Sequence, residues 1–459
     1  MNRYIGDRRF YKQVLHIGIP IVIHNTITNL VSLLDNIMVG RIGTLEMGGV
    51  AVVNQIIFVF NLCIFGVCAG AGIFSAQYYG KGDDTGLRHT FRFKILSSIL
   101  FSALFMGVFL LFWEPLIRLY LQGEGTVEDI AGTLESGKIY LTTMLWGMIP
   151  FALSNAYSTT LRECSQTAVP MAAGITAVFV NLFLNFVLIF GHFGAPAMGV
   201  QGAALATVIS RYVELAIVAV WTHCNGKKHP FIRGAYRSLH IPGALMKPMV
   251  IRSTPLMCNE ILWGAGIAFL NQCYSTCGLI VMNAVNISST INNLASVVNM
   301  TLGSTIGILM GQFMGAGHSR EEIMRDNRRL TFLTFFCGIV FGGIQAAIAG
   351  VFPHLYNTTD DIRQLATQMI LVTAFLKPFT SVMYSAYFTL RSGGKTTITF
   401  LYDSGVLWTL NIPLAFCLTR FTGMPILPVF FLCQMPDVIK MCIGIFMVKK
   451  GTWVQNITV

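Results

Sequence analysis

Charge is what this 459-residue sequence has least of. Asp, Glu, Lys and Arg together make up 11% of it, and hydrophobic residues 54%, with a mean hydropathy of +0.65. A soluble globular domain carries about 25% charged residues. The shortage excludes a soluble protein and points to a chain that crosses a membrane many times. Acids are scarcer than bases, 20 against 31, which leaves a formal charge of +11. In a soluble protein that balance would suggest nucleic acid. Here the bases fall in the connectors between apolar runs, so topology accounts for them and no nucleic-acid partner is expected. Metal-binding and catalytic signals are also missing. The eleven cysteines form no CxxC pair; Cys273 and Cys277 lie four apart without His partners, and the nine histidines are dispersed. They read as small buried side chains, and no nucleophile–base cluster marks an enzyme. The first apolar run, after MNRYIGDRRFYK, is too long for the core of a signal peptide and reads as the first membrane helix.

What is present is length in apolar runs. About 20 apolar residues span the hydrocarbon core. Twelve such runs lie at 14–38, 49–78, 94–113, 138–160, 170–191, 199–222, 249–275, 281–312, 330–352, 366–389, 397–419 and 424–448. With the N-terminus inside, the inner connectors collect Arg3, Arg8, Arg9 and Lys12, then Lys81, Arg88, Arg92 and Lys94, then Lys227, Lys228, Arg233, Arg237 and Lys247, then Arg320, Arg325, Arg328 and Arg329. Outside fall only Arg41, Arg118, Lys138, Arg363 and Arg420. The bias sets both termini in the cytoplasm of a multi-pass protein of the plasma (cell inner) membrane.

The chain repeats itself. Shifted by 235, Pro20 falls on Pro255, Gly72 on Gly307, Gln77 on Gln312 and Gly80 on Gly315; shifted by 229, Thr160-Leu161-Arg162 falls on Thr389-Leu390-Arg391. Six helices per half is an even number, so the halves share one orientation. The expected fold is an all-α polytopic membrane protein, twelve transmembrane helices in two pseudo-symmetric six-helix bundles. Residues 1–222 form the N-lobe, 223–248 a basic cytoplasmic linker and 249–459 the C-lobe. Transporters with such repeats bind ligands near the midplane and alternate access by rocking one bundle against the other.

Against this apolar background each polar group inside a span is informative. Asp35 stands alone in VSLLDNIMVGRIG. A carboxylate at mid-bilayer costs about 2.5–3.5 kcal/mol on insertion scales, and is kept where it faces a wet cavity or binds something. The repeat lays Asp35 on Leu270, so one half alone holds the acid. Asn181 and Asn185 are i, i+4 on one face of the fifth span, and Thr207 follows the small residues that open the sixth. Together these four offer the oxygens a hard cation takes, or in Asp35 a group that carries a proton. The amides alone would also serve as glue between helices, each contact worth about 0.6–2 kcal/mol. In the second half Glu260 and Lys377 both fall near mid-depth and are expected to meet as an opposite pair, lining a substrate or proton cavity. Arg211 with Glu214, and Asp437 with Lys440, are i, i+3 pairs expected to close locally. His24, beside the Asp35 site in the first span, reads as a hydrogen-bonded core histidine rather than a proton carrier; Asp403 and Asn411 are open.

Several of these stretches form known signatures. LDNIMVGRIG in the first span, AQYYGKG after the second, GQFMGAG after the eighth, and the paired loops TLRECSQT and TLRSGGKT resemble those of the multidrug and toxic compound extrusion (MATE) family over nearly the whole chain. The resemblance implies cation-coupled (Na+ or H+) antiport that exports small organic, cationic compounds by alternating access. It implies a cation site on Asp35, Asn181, Asn185 and Thr207, and a functional acid at Glu260. Some branches carry an acid in the tenth helix; here Lys377 occupies that helix instead. No cofactor is expected beyond a bound Na+, and the partners are a small-molecule substrate and the lipid bilayer, with the chain a monomer. A flippase for lipid-linked or amphiphilic substrates, which shares the architecture, is the alternative.

Overall fold

The computed structural model describes residues 4–121 and 127–458, apart from the side chains of residues 30, 32–37 and 127. Twelve long helices account for these residues: α1 (Arg8–Gly40), α2 (Thr44–Lys81), α3 (Asp84–Tyr120), α4 (Val127–Glu163), α5 (Ala168–Phe190), α6 (Gly199–Cys224), α7 (Gly243–Ser275), α8 (Leu279–Gly315), α9 (Arg320–Ile348), α10 (Asp360–Ser392), α11 (Thr396–Phe421) and α12 (Ile426–Lys450). The expected fold class holds: one helix forms on each apolar run. Helix suits the bilayer because every interior amide and carbonyl is satisfied within the segment. The ends are marked in the sequence. Ser319 and Glu322 make a reciprocal capping box at the start of α9, and Gly191 closes α5 in the left-handed conformation at φ 75°.

The chain divides into two compact units. One comprises Ile23–Ser75 and Asp84–Val250; the other comprises Met1–Val22, Ala76–Asp83 and Ile251–Val459. The division runs through helices rather than loops. In α1 it falls just after Pro20, which supplies no amide hydrogen and weakens the helix there. The start of α1 therefore packs with later helices: Phe10, Val14, Ile17 and Ile21 share a core with Ile306, Leu309, Met310, Leu390 and Trp453.

The tip of α2 is held in that same unit by a contact the internal repeat foreshadows. A Cβ on Gly80 would collide with the Gln312 carbonyl, and one on Gly315 with the Gln77 carbonyl, so the two glycines permit reciprocal backbone contact between α2 and α8. Gln77 is wholly buried. Its Nε2 donates to the carbonyls of Ser392 at 3.3 Å and Gln455 at 3.1 Å, and its Oε1 accepts from the Ile457 amide at 2.8 Å.

Three bases counted among the inner connectors lie on α3 instead. Arg88 and Arg92 donate to carbonyls of the central segment, Arg88 to Pro230 and Phe231, Arg92 to Gly234, Ala235 and His240. Lys94 is fully buried and ion-paired with Glu163 of α4 at 2.5 Å.

Candidate functional site

In the first unit α5 and α6 approach closely because α6 opens with small residues; Gly202, Ala203, Ala204 and Ala206 are all buried. That contact aligns the predicted polar groups. Asn181 and Asn185 are 6% and 2% exposed. Asn181 Nδ2 donates to Thr207 Oγ1 at 3.2 Å, and Asn185 Nδ2 donates to Asn181 Oδ1 at 3.2 Å. Thr207 Oγ1 donates in turn to the Ala203 carbonyl at 3.1 Å. Three of the four expected cation-site residues thus form one chain of hydrogen bonds. The side chain of Asp35 lies outside the described residues. Its neighbours one helical turn before and after, Val31 and Val39, each line a cavity.

The smaller cavity holds about 120 Å³ and is lined by His24, Thr28, Val31, Asn181, Thr207, Ser210, Arg211 and Glu214. The larger, about 290 Å³, shares Thr207 and Arg211 with it and extends along Asn185, Asn54, Asn61 and Tyr140. Its apolar wall is Phe58, Phe60, Phe151, Met144 and Met148. A few placed polar groups in an aromatic and thioether wall is the make-up of a small-molecule pocket, and methionine lets it adapt. Arg211 stands at the junction of the two. It pairs with Glu214 at 3.4 Å, as expected, and its guanidinium lies 4.8 Å from the Phe151 ring centre. The site thus contains a fixed cation with its own counter-charge.

His24 departs from expectation. Its ring seats on Gly174, where any Cβ would strike the imidazole, and its buried Nδ1 has no hydrogen-bond partner among the described residues. It is a cavity-lining histidine with an open nitrogen rather than a satisfied core one.

In the second unit the expected partners do not meet. Lys377 donates to Asn292 Oδ1 at 2.5 Å and Ser296 Oγ at 3.0 Å on α8. Glu260 instead faces Arg391, at 4.0 Å. Helix α7 turns Glu260 toward the C-terminal end of α10, and Lys377 lies about four turns away along that helix. A different network has formed. Asn259, 2% exposed, donates from Nδ2 to Tyr387 Oη and Asp403 Oδ2, and its Oδ1 accepts from the Ser404 amide and hydroxyl. Lys440 donates to the other Asp403 oxygen at 2.8 Å, while Asp437, its expected i, i+3 partner, is farther away at 3.9 Å. Helix α11 is wound as π-helix over Leu401–Gly405 and Leu407–Asn411, which brings Asp403 and Ser404 together onto Asn259. Pro413, which has no amide hydrogen, disfavours a regular ladder just beyond, and π turns concentrate at functional positions.

Comparison with known proteins decides what these helices belong to. The MatE family profile matches residues 20–187 and 256–417, one block in each half. The chain belongs to the MATE family. Its relatives include the probable multidrug resistance protein NorM of Thermotoga maritima, 23% identical over 89% of this chain and 86% of that protein, and the probable multidrug resistance protein YoeA of Bacillus subtilis, 26% identical over 90% and 87%. A crystal structure of a mutant of the Vibrio cholerae MATE transporter VcmN, at 17% identity, superposes with a TM-score of 0.85 over 96% of this chain and 97% of that one. This is a multi-pass membrane transporter of small molecules, not an enzyme.

Sequence reasoning missed several groups of this MATE site. Asn54 and Asn61 lie seven apart in an apolar run, a spacing that places both on one helix face, and that signal was available. The part of Arg211 and Glu214 in the cavity wall was hidden, because an i, i+3 pair carries the same pattern on a lipid-facing surface. The Asn259–Asp403–Lys440 link joins α7, α11 and α12, and no local spacing reveals a contact of that range.

Proposed function

We propose that the transporter is a cation-coupled antiporter, driven by Na+ or H+, that exports small organic cations by alternating access. The observation that carries this reading is the coincidence in the first unit of three linked polar side chains, Asn181, Asn185 and Thr207, with two cavities lined by the residues one turn either side of Asp35. Taken with the Arg211–Glu214 pair, Asp35 leaves the group one negative charge in excess. One Na+ held by carboxylate, amide and hydroxyl oxygens, or one proton on Asp35, neutralises it. Binding an organic cation against the aromatic wall then competes with that ion for the same charge, and this competition is the coupling. The printed names of the relatives, probable multidrug resistance proteins, support the substrate class. Glu260 is a second acid available to substrate or proton. The protein works as a monomer in the plasma membrane with both termini in the cytoplasm, which the distribution of Lys and Arg supports.

The test is efflux of a fluorescent organic cation from proteoliposomes, with Na+ and pH gradients imposed separately. One gradient drives efflux in the wild type, Asp35→Asn abolishes it, and Asn181→Ala and Thr207→Ala reduce it about tenfold or more, as loss of a ligand to a charged group does. Undiminished gradient-driven efflux by a folded Asp35→Asn protein overturns the assignment.

A further inference from the structure

Helix α8 contains no ionisable residue, yet one of its faces is polar. Ser288, Asn292, Ser296 and Asn299 recur at the i, i+4, i+8, i+11 spacing of a single stripe. Opposite the middle of that stripe is Lys377 of α10, 2% exposed. Its Nζ donates to Asn292 Oδ1 at 2.5 Å, to Ser296 Oγ at 3.0 Å and to the Asn292 carbonyl at 3.5 Å. All three acceptors are neutral, and among the described residues no carboxylate lies within ion-pairing distance of it. The ammonium is thus hydrogen-bonded but its charge is uncompensated, the costly state for an ion out of water.

The ends of the stripe are incomplete in the same sense. Ser288 and Asn299 are each 1% exposed, and among the described residues neither Ser288 Oγ nor either amide atom of Asn299 has a hydrogen-bond partner. Ser288 lies about 16 Å along the helix from Asn299, so only Asn299, one turn beyond Ser296, is near enough to share a small ligand with Lys377. Buried polar atoms are normally satisfied, and an orphan amide beside a lone charge marks a place where something binds. The inventory decides what. Lys377 supplies a positive charge, Ser296 a hydroxyl and Asn299 an amide NH2. These are donors with no negative group among them, which repels a cation and suits an anion. Pro378, immediately after Lys377, has no amide hydrogen and so removes one rung of the α10 ladder beside the lysine.

We propose that Lys377 with Ser296 and Asn299 is a receptor for one monovalent anionic group in the second unit. The group is either a carboxylate carried by the exported compound or a small inorganic anion. The inference does not depend on which ion couples transport at Asp35, and where the anionic group is the substrate's own carboxylate it predicts that zwitterionic compounds are handled differently from purely cationic ones.

The experiment has two arms, both with the full-length protein. In detergent with a sulfate background, chloride and benzoate are titrated by calorimetry and thermal shift against wild type, Lys377→Met, Lys377→Arg and Asn299→Leu. In proteoliposomes, efflux of a rhodamine bearing a free carboxylate is compared with efflux of its ethyl ester. The wild type binds at least one anion; Lys377→Met and Asn299→Leu weaken it, Lys377→Met by about 10- to 100-fold, the effect of removing a hydrogen-bonded charge from a dry site, while Lys377→Arg retains binding. If the carboxylate belongs to the substrate, Lys377→Met loses the acid and spares the ester. If the source is an inorganic anion, acid and ester respond alike while chloride binding is lost. Absence of any anion binding by the wild type overturns the proposal. So does binding that survives in both Lys377→Met and Asn299→Leu.

Discussion

Replacing Lys94 by Met tests how the first unit holds a buried charge pair. Lys94 is 0% exposed; its Nζ lies 2.5 Å from Glu163 Oε2 and 3.2 Å from the hydroxyls of Thr159 and Thr160. Methionine fills the same volume but leaves the carboxylate without its counter-charge. Breaking such a pair from one side destabilises by about 3–5 kcal/mol, whereas replacing both partners with apolar residues is often neutral. Lys94→Met and Glu163→Leu should each cost in that range, and the double variant should return to within about 2 kcal/mol of wild type. The coupling is then about 4 kcal/mol or more in the direction of mutual rescue, above what most neighbouring residues show. Reversible unfolding in mixed detergent micelles, followed by tryptophan fluorescence, measures all four proteins, and efflux shows whether the rescued double variant still transports. Single variants that cost under about 1 kcal/mol, or costs that simply add, would refute the reasoning.

Three further outcomes are expected. Asn259→Leu strips the shared partner from Tyr387, Asp403 and Ser404 and should cost about 3 kcal/mol or more in the same unfolding assay, because the groups it leaves stay buried. Gln77→Leu removes all three bonds that hold residues 455–457 and Ser392, so limited proteolysis should begin to cut within 451–458, a segment that resists it in the wild type. His229 in the central segment is held below the usual histidine range, first by burial and then by Lys228, with Asp84 opposing. A base with a depressed pKa docks in its neutral form, so attachment of residues 225–242 is complete above the ordinary histidine range, near pH 6.5, and weakens as pH falls below it. The hydrogen-exchange protection of that segment, taken relative to the intrinsic rate at each pH, should fall between pH 7.5 and pH 5.5, and His229→Phe should flatten the change.

The parts of this molecule that could be read in the sequence are those fixed by local chemistry. Twelve apolar runs became twelve helices because a bilayer leaves a long apolar segment no other satisfied structure. The Asn181–Asn185–Thr207 chain was legible because i, i+4 spacing sets two of its members and small residues admit the third. What stayed hidden depends on long-range packing. Lys94 looked like a connector base because α3 starts ten residues earlier than its apolar run, and nothing local announces that Glu163 waits on α4. Glu260 and Lys377 seemed to share a depth, but Arg391 and Asn292 were the nearer partners once α7, α8 and α10 packed. Asp403 found Lys440 through a π-helical stretch that no periodicity foretells.

The central claim is that an inorganic cation and an organic one compete for the same negative charge in the first unit. Substrate binding to the purified transporter in weakly buffered detergent, with released protons read by a pH dye and displaced radioactive Na+ counted in parallel, tests it most directly. The account predicts release of one proton or one Na+ per organic cation bound by the wild type, and none by Asp35→Asn. Tight substrate binding with no ion released, or the same release from Asp35→Asn, would contradict it.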